Sequence, residues 1–464
     1  MFPMKKFNSK YILGISMISA LGGLLFGYDW VVIGGAKPFY ERFFEITSNA
    51  GLQAWAMSSA LIGCILGAVV SGMVSDKFGR KKPLLLASVL FLVSALGTGI
   101  VSDYNWFIFY RIVGGVGIGL ASALSPMYIA EVAPTSIRGK FVSLNQLTIV
   151  IGILAAQVIN LLIAEAVPAG ASDEMIRNSW NGQTGWRWMF WAEAVPAFIF
   201  MVAILFIPES PRWLMKAGMP GKAFPTLNKI GGEDYAREEM KNIEATLDDV
   251  SEKVDFRNLA KPMYATVLLI GIYIAVFQQW SGLNTVFNYA EEIFSAAGYG
   301  VSDTLFNIVI TGSVNLIFTL VAMFTVDKWG RKKLMLFGSL GLAINYLLLG
   351  SAYFFQLQGI AVLILVLTAI AIYAMSLAPI VWVILSEIFP NRIRGAAMAL
   401  ATFALWVACF ILTYTFPLLN EALGASGTFW VYAAICTLSF VFILLKLPET
   451  KGKSLEEIEK ELVN

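Results

Sequence analysis

The sequence predicts an all-α membrane protein: twelve transmembrane helices in two six-helix, pseudo-symmetric halves, with short helices on one membrane face. Three observations carry that prediction. Of 464 residues, 58% are hydrophobic and 14% charged, where a soluble protein carries about a quarter charged residues. Apolar runs long enough to cross a bilayer as helices recur along the whole chain. The chain also repeats itself at nearly equal offsets. "SDKFGRKK" (75–82) returns as "VDKWGRKK" (326–333), "EVAPTSIRG" (131–139) as "EIFPNRIRG" (387–395), and "PES" (208–210) as "PET" (448–450).

The spans follow in order: 11–35, 54–74, 83–101, 106–130, 141–164, 187–207, 263–296, 304–326, 334–355, 360–386, 396–419 and 428–446. Lys5, Lys6 and Lys10 before the first span imitate a signal peptide, but the apolar run is too long and no small-residue cleavage site closes it. It is read as a retained span. The seventh span is expected to break near Gly282, and the chain divides into an N-terminal half (1–207), a linker (208–262), a C-terminal half (263–447) and a tail (448–464). In the linker Met240, Ile243, Leu247 and Val250 recur at helical spacing, so it forms amphipathic helices. In the tail Ser454 and Glu457 have capping-box spacing. Of the 33 lysines and arginines, 28 fall on the side of both termini and the linker, and three (Lys37, Arg42, Arg177) on the other. That asymmetry puts both termini in the cytoplasm, in a plasma (inner) membrane. Six spans per half is an even number, so the halves insert with the same orientation. This is a transporter architecture, with a substrate site between the halves near mid-membrane.

Composition excludes several classes. The three cysteines, Cys64, Cys409 and Cys436, all lie in apolar spans and read as packed thiols. No metal site, no cofactor and no hydrolytic triad is indicated, and nothing points to nucleic acid. "GGVGIG" (114–119) looks like a phosphate loop, but it lies inside a span and follows no strand. Gly115 and Gly119 read instead as close helix packing. The lipid bilayer is a partner; the sequence leaves the oligomeric state open, and a monomer suffices.

Asp29 sits within the first span, where a carboxylate costs roughly 2.5–3.5 kcal/mol to insert. Arg111 in the fourth span lies at matching depth and is its natural partner. An adjacent guanidinium favours the ionised carboxylate, and burial without one favours the protonated form, so such a pair can act as a proton switch. With no histidine in the chain, proton handling falls to carboxylates. Glu193 in the sixth span is a second intramembrane acid. The repeated turns place Asp76, Arg80, Glu131, Arg138, Glu209 and Arg212 in one half, and Asp327, Arg331, Glu387, Arg394 and Glu449 in the other. They are expected to form a cytoplasmic gate of salt bridges. The C-terminal spans carry amides and aromatics: Gln278, Gln279, Asn284, Tyr289, Asn315, Trp382 and Trp406. Amides both donate to and accept from hydroxyls, and an indole face suits a sugar's C–H face.

The paired GRKK turns, the two Glu-x6-Arg-Gly loops, "PESPRW" (208–213), "QQWSGLN" (278–284) and "PETKG" (448–452) resemble the sugar porter family of the major facilitator superfamily. "FGYD" (26–29), "YRIVGGVGIGLASALSPMYIAEVAP" (110–134) and "AMSLAPIVWVILSEIFP" (374–390) look most like its bacterial D-xylose–proton symporters. The resemblance spans essentially the whole chain. It implies alternating access, a monosaccharide and a proton as cargo, proton coupling at Asp29, Arg111 and Glu193, and sugar contacts at Phe26 and at the seven amide and aromatic positions. The chain departs from the pattern at Ile153 and Leu405, where such symporters carry glutamine, and at Ala378, where glycine is usual. Each change removes a hydroxyl partner or narrows the pocket. An uncoupled hexose or pentose uniporter is the alternative, argued against by Asp29, where facilitative carriers carry asparagine. A non-transporting sugar receptor is a second; it would be expected to carry a long cytoplasmic extension.

Overall fold

The computed structural model describes residues 7–168, 170–249, 259, 261–390, 393–451, 453 and 457, and helix is the only regular secondary structure among them. Eleven of these helices are long and apolar enough to cross a membrane. The last, Arg394–Lys446, has 53 residues and holds two spans joined at Gly424, whose backbone (φ 66°, ψ 175°) is non-helical. The expected twelve spans are therefore present.

Local chemistry starts the helices where they start. Asn8 accepts from the backbone N–H of Tyr11 to cap Ser9–Phe43, and Asn49 accepts from Leu52 N–H to cap Ala50–Phe78. Asp103 accepts from Asn105 and Trp106 to cap Tyr104–Val132. Each satisfies amide groups that a helix end leaves without partners.

Three spans differ from the sequence expectation. The first continues to Phe43. The charges Lys37 and Arg42, which had marked a loop, lie on the helix because carboxylates pair with them. The sixth starts at Asn181 with a single π turn, Asn181–Gly185, before Trp186–Ala192. The tenth is broken into Ile360–Met375 and Leu377–Ile388 around Ser376 (φ −122°, ψ −80°). Pro379 lacks the N–H that would bond the carbonyl of Met375, which favours the break there. The seventh breaks where expected. Ala265–Trp280 ends before Gly282, whose φ of 84° needs a residue without a side chain, and Leu283–Asn288 and Ala290–Ala296 follow.

Helices in the N-terminal half approach backbone to backbone. A side chain on Gly115 would strike the carbonyl of Ala60, and one on Gly119 that of Cys64. The glycine-rich stretch is therefore packing between the fourth and second spans, as its spacing indicated. The linker forms Pro211–Lys216, Pro220–Gly231 and Glu233–Asp249. Leu227, Ile230, Tyr235, Ala236 and Ile243 pack there with Ile12, Ala133, Ile137 and Phe141. The linker thus caps the ends of the first, fourth and fifth spans. Val250, the side chain of Leu247 and Ser454 lie outside the described residues.

Candidate functional site

Asp29 and Arg111 form an ion pair, with the aspartate 0% and the arginine 2% exposed. Arg111 also donates to the backbone carbonyl of Asp29 at 3.4 Å. The fourth span makes room through Gly114, where a side chain would strike Asp29 and Ser94. Asp29 Oδ2, Arg111 Nε and Glu193 Oε1 are buried without hydrogen-bond partners among the described residues. Glu193 lies within electrostatic range of both Asp29 and Arg111. It occupies the joint between Trp186–Ala192 and Ala194–Ala203. The three groups predicted to handle the proton therefore share one buried neighbourhood, with two carboxylate oxygens free to accept and one guanidinium N–H free to donate.

Aromatic rings join the halves next to this pair. Phe26 and Trp30 of the first span meet Trp406 of the eleventh, at centroid distances of 6.0 and 6.1 Å. Trp30 was not singled out from the sequence, although it neighbours Asp29. A cavity of about 10 Å³ is walled by Trp30, Met57, Arg111 and Asn288, among others, which is room for about one water. Asn288 Oδ1 is buried and without a partner among the described residues.

The amide cluster surrounds the break in the seventh span. Gln278 donates to the carbonyls of Leu377 and Ala378 at 3.4 and 3.3 Å, on the broken tenth span. Asn284 donates to Gln279 Oε1 across the break, and lies 3.7 Å from Cys409 Sγ. Gln278, Gln279, Asn315, Ile153, Leu405 and Trp406 are all buried, while Trp382 is 39% exposed on the second segment of the tenth span. Tyr289, a predicted sugar contact, is engaged within the C-terminal half in this structure. Its hydroxyl donates to the carbonyl of Thr413 at 2.6 Å, and its ring stacks on Phe416 at 4.6 Å. It is spent on the C-terminal half, and its neighbour Asn288 is the residue facing the cavity.

The predicted gate residues pair in a way the sequence did not indicate. Arg80 bonds Glu131 at 2.8 Å and Arg331 bonds Glu387 at 3.0 Å. Glu209 accepts from the backbone N–H of Arg80 at 2.8 Å, and Glu449 from that of Arg331 at 2.9 Å. Lys216 holds Asp76 at 2.9 Å, while Arg138 donates to Thr135 and Arg394 to the carbonyl of Phe389. Arg212 is exposed, and the side chain of Asp327 lies outside the described residues. Each of these contacts joins residues of one half to each other or to the linker or tail that follows that half.

Among the described residues, ion pairs tie the halves together at the opposite end. Lys37, 1% exposed, lies 2.9 Å from Glu41, 2.6 Å from Glu292 and 3.5 Å from Glu291. Arg42 binds Glu291 at 3.3 Å and Asp173 at 2.7 Å. The amide of Val167 donates to Ser302 at 2.9 Å. This end is shut by charges from the first and seventh spans that sequence reading missed. The adjacent acids Glu291 and Glu292 in an apolar span were the available signal.

A twelve-helix bundle with a buried carboxylate–guanidinium pair, broken helices bearing amides and a charged seal at one end is a membrane transporter. The chain belongs to the sugar (and other) transporter family, whose model matches residues 15–462. It is 41% identical to the D-xylose-proton symporter of Escherichia coli (strain K12), over 98% of this chain and 96% of that one. It is 42% identical to the arabinose-proton symporter of Bacillus subtilis (strain 168), over 97% and 95%. Its structure matches the inward-open xylose transporter XylE from E. coli with a TM-score of 0.85, at 39% identity over 97% and 100% of the two chains. Against XylE bound to 6-bromo-6-deoxy-D-glucose the TM-score is 0.80, at 40% identity over 98% and 100%. It is a multi-pass membrane protein of a sugar-transporting family.

Proposed function

We propose that this chain is a proton-coupled pentose symporter of the bacterial plasma membrane, working by alternating access, with D-xylose as the first candidate cargo. The observation that carries the reading is the buried Asp29–Arg111 pair, one aromatic layer away from the amide-lined break at Gly282. Both termini and the basic turns face the cytoplasm, by the lysine and arginine asymmetry, so the charged seal at Lys37 closes the outer side. Two relatives named as pentose–proton symporters support the cargo and the coupling.

The proton step follows from burial. Protonating Asp29 leaves Arg111 without a counter-charge in a low-dielectric site. That is costly, and the halves then favour an arrangement that gives Arg111 another acceptor. Sugar held by Gln278, Gln279 and Asn284 stabilises the same arrangement from the C-terminal side. A membrane potential near 150 mV supplies about 3.5 kcal/mol per proton, enough for a sugar gradient of a few hundredfold. The within-half pairs at Arg80 and Arg331 keep each six-helix unit together as the two rock.

The test uses proteoliposomes and a panel of radiolabelled pentoses and hexoses, with and without a pH gradient. Uphill uptake of a pentose that vanishes when the gradient is collapsed is expected. Asp29→Asn keeps the shape but cannot cycle a proton, so it should lose accumulation while retaining counterflow. A mutant that still concentrates sugar makes Asp29 a structural ion pair and moves the proton site to Glu193. A hexose is the second reading, favoured by the apolar Ile153 and Leu405 and by a relative named as a glucose transport protein at 39% identity. The same panel separates the two.

A further inference from the structure

The fifth span, Arg138–Ile163, packs across the interface on the eighth, Val301–Trp329. Gln157 lies on this seam, 2% exposed, and neither end of its amide has a hydrogen-bond partner among the described residues. A buried amide left wholly unsatisfied is rare in a folded protein, and each instance calls for an explanation. The eighth span is shaped around it, because a side chain on Gly312 would strike Gln157 Oε1. The facing helix also carries buried polar side chains at helical spacing, Asn307, Thr311 and Asn315. Asn307 Nδ2 has no partner among the described residues either, whereas the Thr311 hydroxyl is already committed to the carbonyl of Ile308 at 2.6 Å. Ile153, which brings no hydrogen bond to the interface, is one turn away, about 6 Å along the axis.

We infer that Gln157 reads a substrate hydroxyl and sets sugar specificity, standing in on the fifth span for the partner that Ile153 cannot be. An amide can accept one hydroxyl proton and donate to a second oxygen, which fits neighbouring hydroxyls on a monosaccharide. Because the amide lies one turn beyond Ile153, the sugar is recognised closer to the sealed end at Lys37 than a glutamine at position 153 would allow. This rests on the sugar-transport reading, and the experiment separates the two.

The full chain is purified, and the tightest-binding sugar is found from a pentose and hexose panel. Its monodeoxy analogues are then bound to the parent, Gln157→Leu and Gln157→Asn. Gln157→Leu is expected to weaken the parent sugar about tenfold, the scale of one or two buried hydrogen bonds. For one deoxy analogue, and not the others, the parent should lose its advantage over Gln157→Leu. That position names the hydroxyl. Gln157→Asn keeps an amide on a shorter arm, so it should show the same position-specific loss, to a smaller extent. It carries the test if the leucine variant does not fold. Equal affinities in parent and variants would overturn the inference and leave water as the only partner of the amide. A loss spread evenly over all analogues would overturn it too, as a packing effect. A parent that binds no sugar in the panel removes the transport reading itself.

Discussion

Gln278 and Gln279 are adjacent in the chain and do different work. Gln278 holds the tenth span at its break, through the carbonyls of Leu377 and Ala378. Gln279 accepts from Asn284 across Gly282. Replacing either with alanine should weaken sugar binding about tenfold, but Gln278→Ala should also lower the thermal stability of the purified protein. Unchanged binding in both would remove the amide cluster from the site. Tyr289→Phe gives a contrast. It loses the bond to the Thr413 carbonyl, so about 1 kcal/mol of stability should go while sugar binding stays. The sequence showed which side-chain chemistries the site contains. It did not show which of them are free, because that depends on carbonyls exposed by a break in another helix. The sequence therefore pointed to Tyr289 without its bond to Thr413, and Asn288, one residue earlier, was overlooked.

Among elements, the breaks divide by how plainly the sequence marks them. Gly282, at φ 84°, announces itself, and Gly282→Ala should cost on the order of 1–2 kcal/mol in backbone strain, with further conflict at the Tyr432 ring. The break at Ser376 carried no such mark, and only the structure ties it to Pro379. The first span's length was misjudged because Lys37 looked like a loop residue. It lies within the helix because Glu41, Glu291 and Glu292 surround it. Removing one partner of a buried pair is strongly destabilising. Lys37→Met should therefore weaken the outer seal and shift the population toward the outward-open state. A cysteine introduced at Ser302 should then label faster with a membrane-impermeant thiol reagent than in the parent. The three native cysteines are buried, but Cys409 lies 3.7 Å from Asn284, so the rate is read against the same variant without the cysteine at 302. An unchanged labelling rate would mean that the seal does not depend on Lys37.

At the scale of the whole molecule, two corners are built alike. In each, an arginine meets a glutamate (Arg80–Glu131, Arg331–Glu387), and a second glutamate takes the arginine's backbone N–H. The internal repeat was legible as matching strings. The partners were not, since strings alone cannot say whether an arginine bonds its own half or the other. Arg80→Ala and Arg331→Ala should each loosen one half, seen as faster amide hydrogen exchange confined to the helices of that half. Exchange rising equally in both halves would make these pairs joints between the halves rather than clamps within them.

Among the described residues, the apolar cluster under the linker helices is completed by residues that precede them: Ile12, Ala133, Ile137 and Phe141. This has a consequence for biosynthesis. By the time Asp249 leaves the ribosome, the first six spans and the cluster that caps them have all emerged, before any of the seventh span has. Domains generally fold as units during synthesis, so the N-terminal half can mature while the second is still being made. A chain stopped after Asp249 should insert and resist protease. Co-expressed with the separate remainder, it should restore transport.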